Sequence, residues 1–169
     1  MKYLLPVFIL LFTFAVSGQP PKAPNGWRFP TIKDIKGNWK DFKKDLTVPY
    51  KIKADFNGDK LIDEVWILIP TSDKGSGLFA FLRQKNNSFR ALQLEYVKGG
   101  NAQQMYISIA EPAKYVTACG KGYWDCSSGE PATIRIKTRA IVYGAYESAM
   151  SFYYWDDQAK SFKNIAISD

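Results

Sequence analysis

Residues 55 to 63 run Asp55, Phe56, Asn57, Gly58, Asp59, Lys60, Leu61, Ile62, Asp63, so oxygen-bearing side chains stand at positions 1, 3, 5 and 9 of a short segment. Alternate residues of a tight loop can turn their side chains inward, and Leu61 at position 7 can offer its backbone carbonyl. That donor set suits Ca²⁺, a hard cation that takes six to eight oxygens at roughly 2.3–2.6 Å. Asp55, Asp59 and Asp63 would offset the ion's charge, Gly58 eases the curvature, and water would complete the shell. With all the protein ligands on one loop, little of the shell is left for a substrate, so the expected role is structural. The competing reading is a solvated turn, because Asn-Gly and Asp are ordinary loop residues.

An EF-hand does not fit. Position 12 is Trp66 where a bidentate Glu belongs, and the loop runs into the apolar stretch Val65-Trp66-Ile67-Leu68-Ile69 rather than a helix. The strand-flanked pattern resembles the DxNxDGxxD calcium loop of VCBS and FG-GAP repeat proteins, with Lys60 where that family usually has glycine. The pattern occurs once, so the resemblance implies a single repeat-like loop and not a propeller, which needs repeated blades. The segments TACGKGYWDC and AYESAMSFYYWDDQAKSFKNIAISD are similar to parts of small exported bacterial proteins that carry such a loop. The likeness implies compartment and fold, and no activity.

Other chemistry is narrowed by composition. The 169 residues include no histidine, which removes imidazole bases, His-ligated zinc and serine–histidine triads. Carboxylate pairs for acid–base work could come from Glu147 beside Ser148 and Ser151, from Asp156-Asp157, or from Asp63-Glu64. Adjacent strand residues face opposite ways and Asp156-Asp157 falls in a turn, so no catalytic residue is expected. There is no GxSxG, SxxK or phosphate-binding glycine loop. Tyr143, Tyr146, Phe152, Tyr153, Tyr154 and Trp155 cluster in a chain of net charge +7, yet aromatics in alternating strands read as core and cross-strand pairs, not as a nucleic-acid platform.

The chain opens with Lys2 and an apolar run over residues 3–16, closed by Ala15, Ser17 and Gly18. This pattern predicts a signal peptide over 1–18, too short for the roughly 20 residues of a spanning helix and without a lipoprotein cysteine. No membrane anchor is expected once it is removed, and the mature chain is expected to be exported, periplasmic or secreted. An oxidising destination makes Cys119 and Cys126 a disulfide pair, since their spacing is not CxxC and no further ligands stand nearby.

The elements that must position these residues follow. Residues 19–30 hold Pro20, Pro21, Pro24 and Pro30 and predict an extended lead-in lying across the domain. After it, Thr31 can cap a helix whose Ile32, Ile35, Trp39 and Phe42 share one apolar face, with Lys33, Lys36, Lys40 and Lys43 as a solvated stripe beside it. Beyond Pro49 the period changes to two, predicting strands at 48–53, 64–69, 78–83, 89–96, 105–109, 133–137, 140–146, 148–155 and 162–167. The continuous apolar run of the second predicts a central strand covered on both faces, by the helix on one of them. Short turns favour antiparallel neighbours. The expectation is one mainly-β (α+β) domain over 31–169: an antiparallel meander sheet with one N-terminal amphipathic helix, and a stapled irregular loop over 111–131. The expected function is that of an exported, non-catalytic binding protein with a structural Ca²⁺ loop and a protein partner. An inhibitor or immunity-type protein, and a metal-assisted or carboxylate-based hydrolase of extracellular polymers, are the alternatives.

Overall fold

The structure, a computed structural model, describes residues 19–42 and 48–169. The signal peptide expected over 1–18 lies outside those residues, as does Lys43 of the basic stripe. The strands are β1 (Trp27–Arg28), β2 (Lys51–Ala54), β3 (Asp63–Pro70), β4 (Gly75–Arg83), β5 (Phe89–Lys98), β6 (Met105–Ala110), β7 (Lys114–Val116), β8 (Thr133–Arg135), β9 (Ala140–Ala145), β10 (Met150–Asp156) and β11 (Ser161–Ser168). One short helix, α1, spans Asn38–Phe42.

All pairings are antiparallel, but they build two main sheets and a ribbon where one meander was expected. In the first sheet β3, β4 and β5 follow one another, and β1 and β2 share the outer edge of β3, with Trp27 opposite Pro70 and Ala54 opposite Asp63. The second sheet has the order β11-β10-β9-β6, and β7 pairs with β8 alone. Each main sheet contains a local meander closed by short turns; the sheets face each other because each carries an apolar inner face that alternation alone leaves unmatched.

The layers explain the sequence. Val65 and Ile67 of β3 and Leu78 and Ala80 of β4 meet Ile107 of β6, Ile141 and Tyr143 of β9 and Tyr153 of β10 in the inter-sheet core. One side of the sandwich is joined by the Ile107 N–H donating to Pro49 O at 2.8 Å. The outer face of the first sheet buries Leu68, Phe79 and Phe81 beneath Ala23, Trp27 and Phe29 of the lead-in. The outer face of the second buries Ala140, Val142 and Phe152 beneath Tyr115, Ile134 and Ile136, on and beside the β7–β8 ribbon. β3 is therefore covered on both faces, and consecutive aromatics Phe152 and Tyr153 on β10 are both buried, in different cores.

The covering of β3 is not the expected helix. Residues 31–42 form a 3₁₀ turn at Ile32–Asp34 that ends where Ile35 leaves the helical conformation, Gly37 turns at φ +51°, and α1 begins at Asn38. Ile32, expected on the apolar face, is 71% exposed. Arg28 instead holds the turn, its guanidinium gripping Asp34 through two bonds of 2.7 and 2.8 Å while the Thr31 N–H and hydroxyl donate to the same carboxylate. The Arg28 bond is the main cause that keeps the Asp34 carboxyl far below the usual carboxylate range. Trp39 does reach the inter-sheet core, where its indole N–H donates to Met105 O at 2.8 Å.

Candidate functional site

The Asp-rich segment is the connection between β2 and β3. It is pinned from below by Phe56, whose side chain is fully buried in the inter-sheet core, and by the Thr138 hydroxyl donating to Phe56 O at 3.2 Å. Above that anchor the side chains close on the loop's own backbone. Asp55 accepts the Gly58 N–H at 2.7 Å and the Lys60 N–H at 2.8 Å. Asn57 accepts from Asp59 N–H at 3.0 Å, and Asp59 accepts from Leu61 N–H at 2.8 Å. Asp63 is wholly buried and ties two elements, accepting the Phe56 N–H at 3.1 Å and the Arg83 N–H at 2.9 Å. Burial above all, with the Asp59 and Asp55 charges beside it, pushes the Asp63 carboxyl up to about 6.

Asp55, Asn57, Asp59, Asp63 and the Leu61 carbonyl are thus gathered on one connection, and among the described residues no cationic side chain pairs with any of the three aspartates. Each carboxylate oxygen that accepts one N–H keeps a second lone pair. The donor chemistry fits a hard cation. Among the described residues no three Asp, Glu, Cys or His side chains converge into a ready cage, so holding an ion asks the aspartates to turn toward the loop centre. Lys60 adopts φ +68°, the left-handed conformation that a glycine adopts without strain and that costs a side-chain-bearing residue about 1 kcal/mol.

The second site is the tip of the β7–β8 ribbon. Residues 117–132 leave β7 and return to β8, and Cys119 and Cys126 are bridged within them with Cα atoms 4.9 Å apart. The buried Thr117 hydroxyl donates to Pro131 O at 2.8 Å and accepts the Gly120 N–H at 3.2 Å. Gly120 sits so close to the returning strand that a Cβ there would lie 2.0 Å from Ala132 O. Lys121 Nζ donates to Ile167 O at 2.8 Å and the Ala118 N–H to Ala166 O at 2.9 Å, fastening the tip to β11. On this base Tyr123 is 53% and Trp124 39% exposed, the Trp124 indole N–H resting on the Glu130 carboxylate at 3.3 Å.

The carboxylates singled out for acid–base work are held apart or engaged elsewhere. Asp63 points into the loop, whereas Glu64 binds Lys51, Lys53 and the Trp66 indole N–H. Asp156 pairs with Lys163, the main cause that lowers its carboxyl to about 2, and also accepts from Gln158 and Ala159 N–H. Glu147 is exposed in the β9–β10 turn at φ +56°. Between β5 and β11, on the side opposite the β2–β6 join, runs a groove of about 1070 Å³ that Leu94, Tyr153, Phe162 and Ile165 help to line. There the Tyr153 hydroxyl donates to Glu95 at 2.7 Å across the sheets, and burial together with that bond raises its pKa.

Sequence reasoning found β8, inside the strand expected at 133–137, but missed β7 and with it the ribbon. β7 is three residues long and lies among prolines and glycines, so no alternation could develop; its signal was only Tyr115 and Val116 between polar neighbours. Comparison of the chain with protein-family models, with curated proteins and with solved structures finds no match. Among the described residues no helix is long and apolar enough to cross a membrane.

Proposed function

We propose that this chain is an exported, non-catalytic protein-binding module whose contact surface is the disulfide-stapled tip of the β7–β8 ribbon, and whose Asp-rich connection takes a structural Ca²⁺. One observation carries the first part: Tyr123 and Trp124 are exposed within a loop fixed by the Cys119–Cys126 bridge, the Thr117 bonds and the Lys121 clasp. Exposed aromatics on a rigid base are the residues that dominate protein interfaces, because their large area is offered with little side-chain freedom to lose. An inhibitor or immunity-type role uses the same surface and differs only in the partner being an enzyme.

The test is capture of exported proteins on the immobilised mature chain. Trp124→Ala and the double change Cys119→Ser, Cys126→Ser are expected to keep the sandwich folded and to cut retention of a specific partner at least about tenfold. Equal retention by both variants overturns the contact assignment.

The calcium part is supported by three aspartates that have no cationic partner among the described residues, one asparagine and a turned backbone on a single connection, and by the resemblance to the VCBS and FG-GAP loop. A cation bound only by the native state raises thermal stability by mass action. At Ca²⁺ about a hundredfold above its dissociation constant the gain is about 2.7 kcal/mol, or roughly 5–10 °C in melting temperature, relative to EDTA. Asp59→Ala should abolish the rise. Lys60→Gly should stabilise the metal-free domain by about 1 kcal/mol and enlarge the rise, since it removes both a strained backbone and a positive charge beside the ion. Identical melting in EDTA and Ca²⁺ would reduce the connection to a hydrogen-bonded turn.

A further inference from the structure

We propose that the outward face of the β7–β8 ribbon binds an acidic segment of the partner protein. The inference rests on the stapled tip being the contact surface and adds the chemistry of what it contacts. In the ribbon Lys114 stands directly opposite Arg135, and Val116 opposite Thr133. Directly opposed residues of an antiparallel pair share a face, and alternation puts Lys114 and Val116 on the same one. All four are exposed, whereas Tyr115 and Ile134, between them, point into the core over β10. Lys137, two residues past Arg135, is exposed as well.

Two like charges directly opposite each other weaken a strand pair. Blunting the free edges of a two-stranded ribbon does not explain them, because charges of opposite sign would protect the edges and also stabilise the pair. Their surroundings leave them uncompensated. Among the described residues no carboxylate lies within ion-pair reach of Lys114, Arg135 or Lys137. Three acids are engaged elsewhere: Glu111 pairs with Arg139 at 3.2 Å, Glu130 holds Trp124 and the Ser127 N–H, and Asp156 holds Lys163. Asp157 shares a small cleft with Arg135 and Lys137 without pairing to either.

A polypeptide suits this face better than a polysaccharide or a lipid surface. Val116 is 45% exposed amid the charges, and the ribbon leads straight to the Tyr123 and Trp124 pair. An exposed apolar residue set between cations, as Val116 is beside Lys114 and Arg135, suits an interface with a complementary protein, whose charges set the approach and register. The excess of basic over acidic residues, which removal of residues 1–18 lowers only by Lys2, reinforces attraction to an acidic partner.

The probe is a fluorescent oligo-glutamate peptide titrated against the oxidised mature chain. Lys114→Glu with Arg135→Glu is compared with a charge-matched control, Arg90→Glu with Lys98→Glu, two exposed cations near the two ends of β5, each checked for unchanged melting. Binding is expected to weaken at least about tenfold in the ribbon variant and within about twofold in the control, and to weaken with added salt. Equal weakening by both variants, or no binding, overturns the proposal. Association with phosphatidylglycerol vesicles that depends on Lys114 and Arg135, without peptide binding, also overturns it in favour of a membrane surface. Partner capture separates the two claims: loss in Trp124→Ala but not in the ribbon variant leaves the contact tip standing and removes the acidic-segment assignment, and loss in neither removes both.

Discussion

Replacing Asp63 with alanine is expected to lower the unfolding free energy by about 3–5 kcal/mol, a large part of what a domain of this size possesses. The carboxylate is fully buried at the start of β3, and its two oxygens are the partners of the Phe56 and Arg83 N–H groups. Truncation leaves both donors unsatisfied, at about 1–3 kcal/mol each. Asp63→Asn keeps one acceptor oxygen and sets an NH₂ against the other donor, so it should fall between wild type and alanine. Asp59→Ala, on the exposed part of the same connection, should cost under about 1 kcal/mol without metal. Urea denaturation of the three variants in EDTA makes the comparison. A loss below about 1 kcal/mol for Asp63→Ala would mean that water replaces the carboxylate, and the residue would be a ligand only.

Trp39→Ala should be nearly as damaging, at about 3–5 kcal/mol, and should lower the melting temperature by roughly 10 °C. Its ring is 1% exposed, packs on Tyr50 at 4.8 Å between centroids, and spends its one N–H on Met105 O. Trp39→Phe keeps much of the area but strands that carbonyl, so about 1–2 kcal/mol is expected. Unchanged melting of the alanine variant would show that the 31–42 segment rests on the sheets without bracing them. Calorimetry or circular dichroism decides it.

These two residues also mark what could be read in advance. Trp39 was visible as an inward-facing position, yet the helix assigned around it was too long. Periodicity sees Ile32, Ile35 and Trp39 in register but not that Gly37 turns to φ +51° or that Arg28 draws Asp34 into a separate turn. Strands with clear alternation, such as β5 and β8, were legible, whereas β1 is two residues long and exists only because Trp27 and Arg28 lie along Ile69 and Pro70. Two sheets could not be distinguished from one, since alternation reports which residues are buried and not against what. For the Asp-rich connection, the spacing singled out Asp55, Asn57, Asp59, Leu61 and Asp63, which the fold keeps on one link between β2 and β3. What it could not give were the supports from Arg83, 20 residues on from Asp63, and Thr138, 82 on from Phe56. The unpaired cations of the ribbon were unreadable for the same reason: Lys114 and Arg135 meet only through a pairing that spans the whole stapled tip.

The aromatic strap formed by the proline-rich lead-in has a consequence for how the molecule is assembled. Trp27 packs edge-on against Phe79 at 4.9 Å and Tyr96 at 5.2 Å, partners that follow it by more than fifty residues. The β3–β4 and β4–β5 hairpins close through short local turns, whereas the strap must return across a long intervening chain, and loop-closure entropy favours the local contacts first. Until it returns, Leu68, Phe79 and Phe81 form a bare apolar surface on an already paired sheet. A chain trimmed beyond Phe29 keeps that surface permanently, so the strap residues Ala23, Trp27 and Phe29 act as the molecule's own guard against self-association.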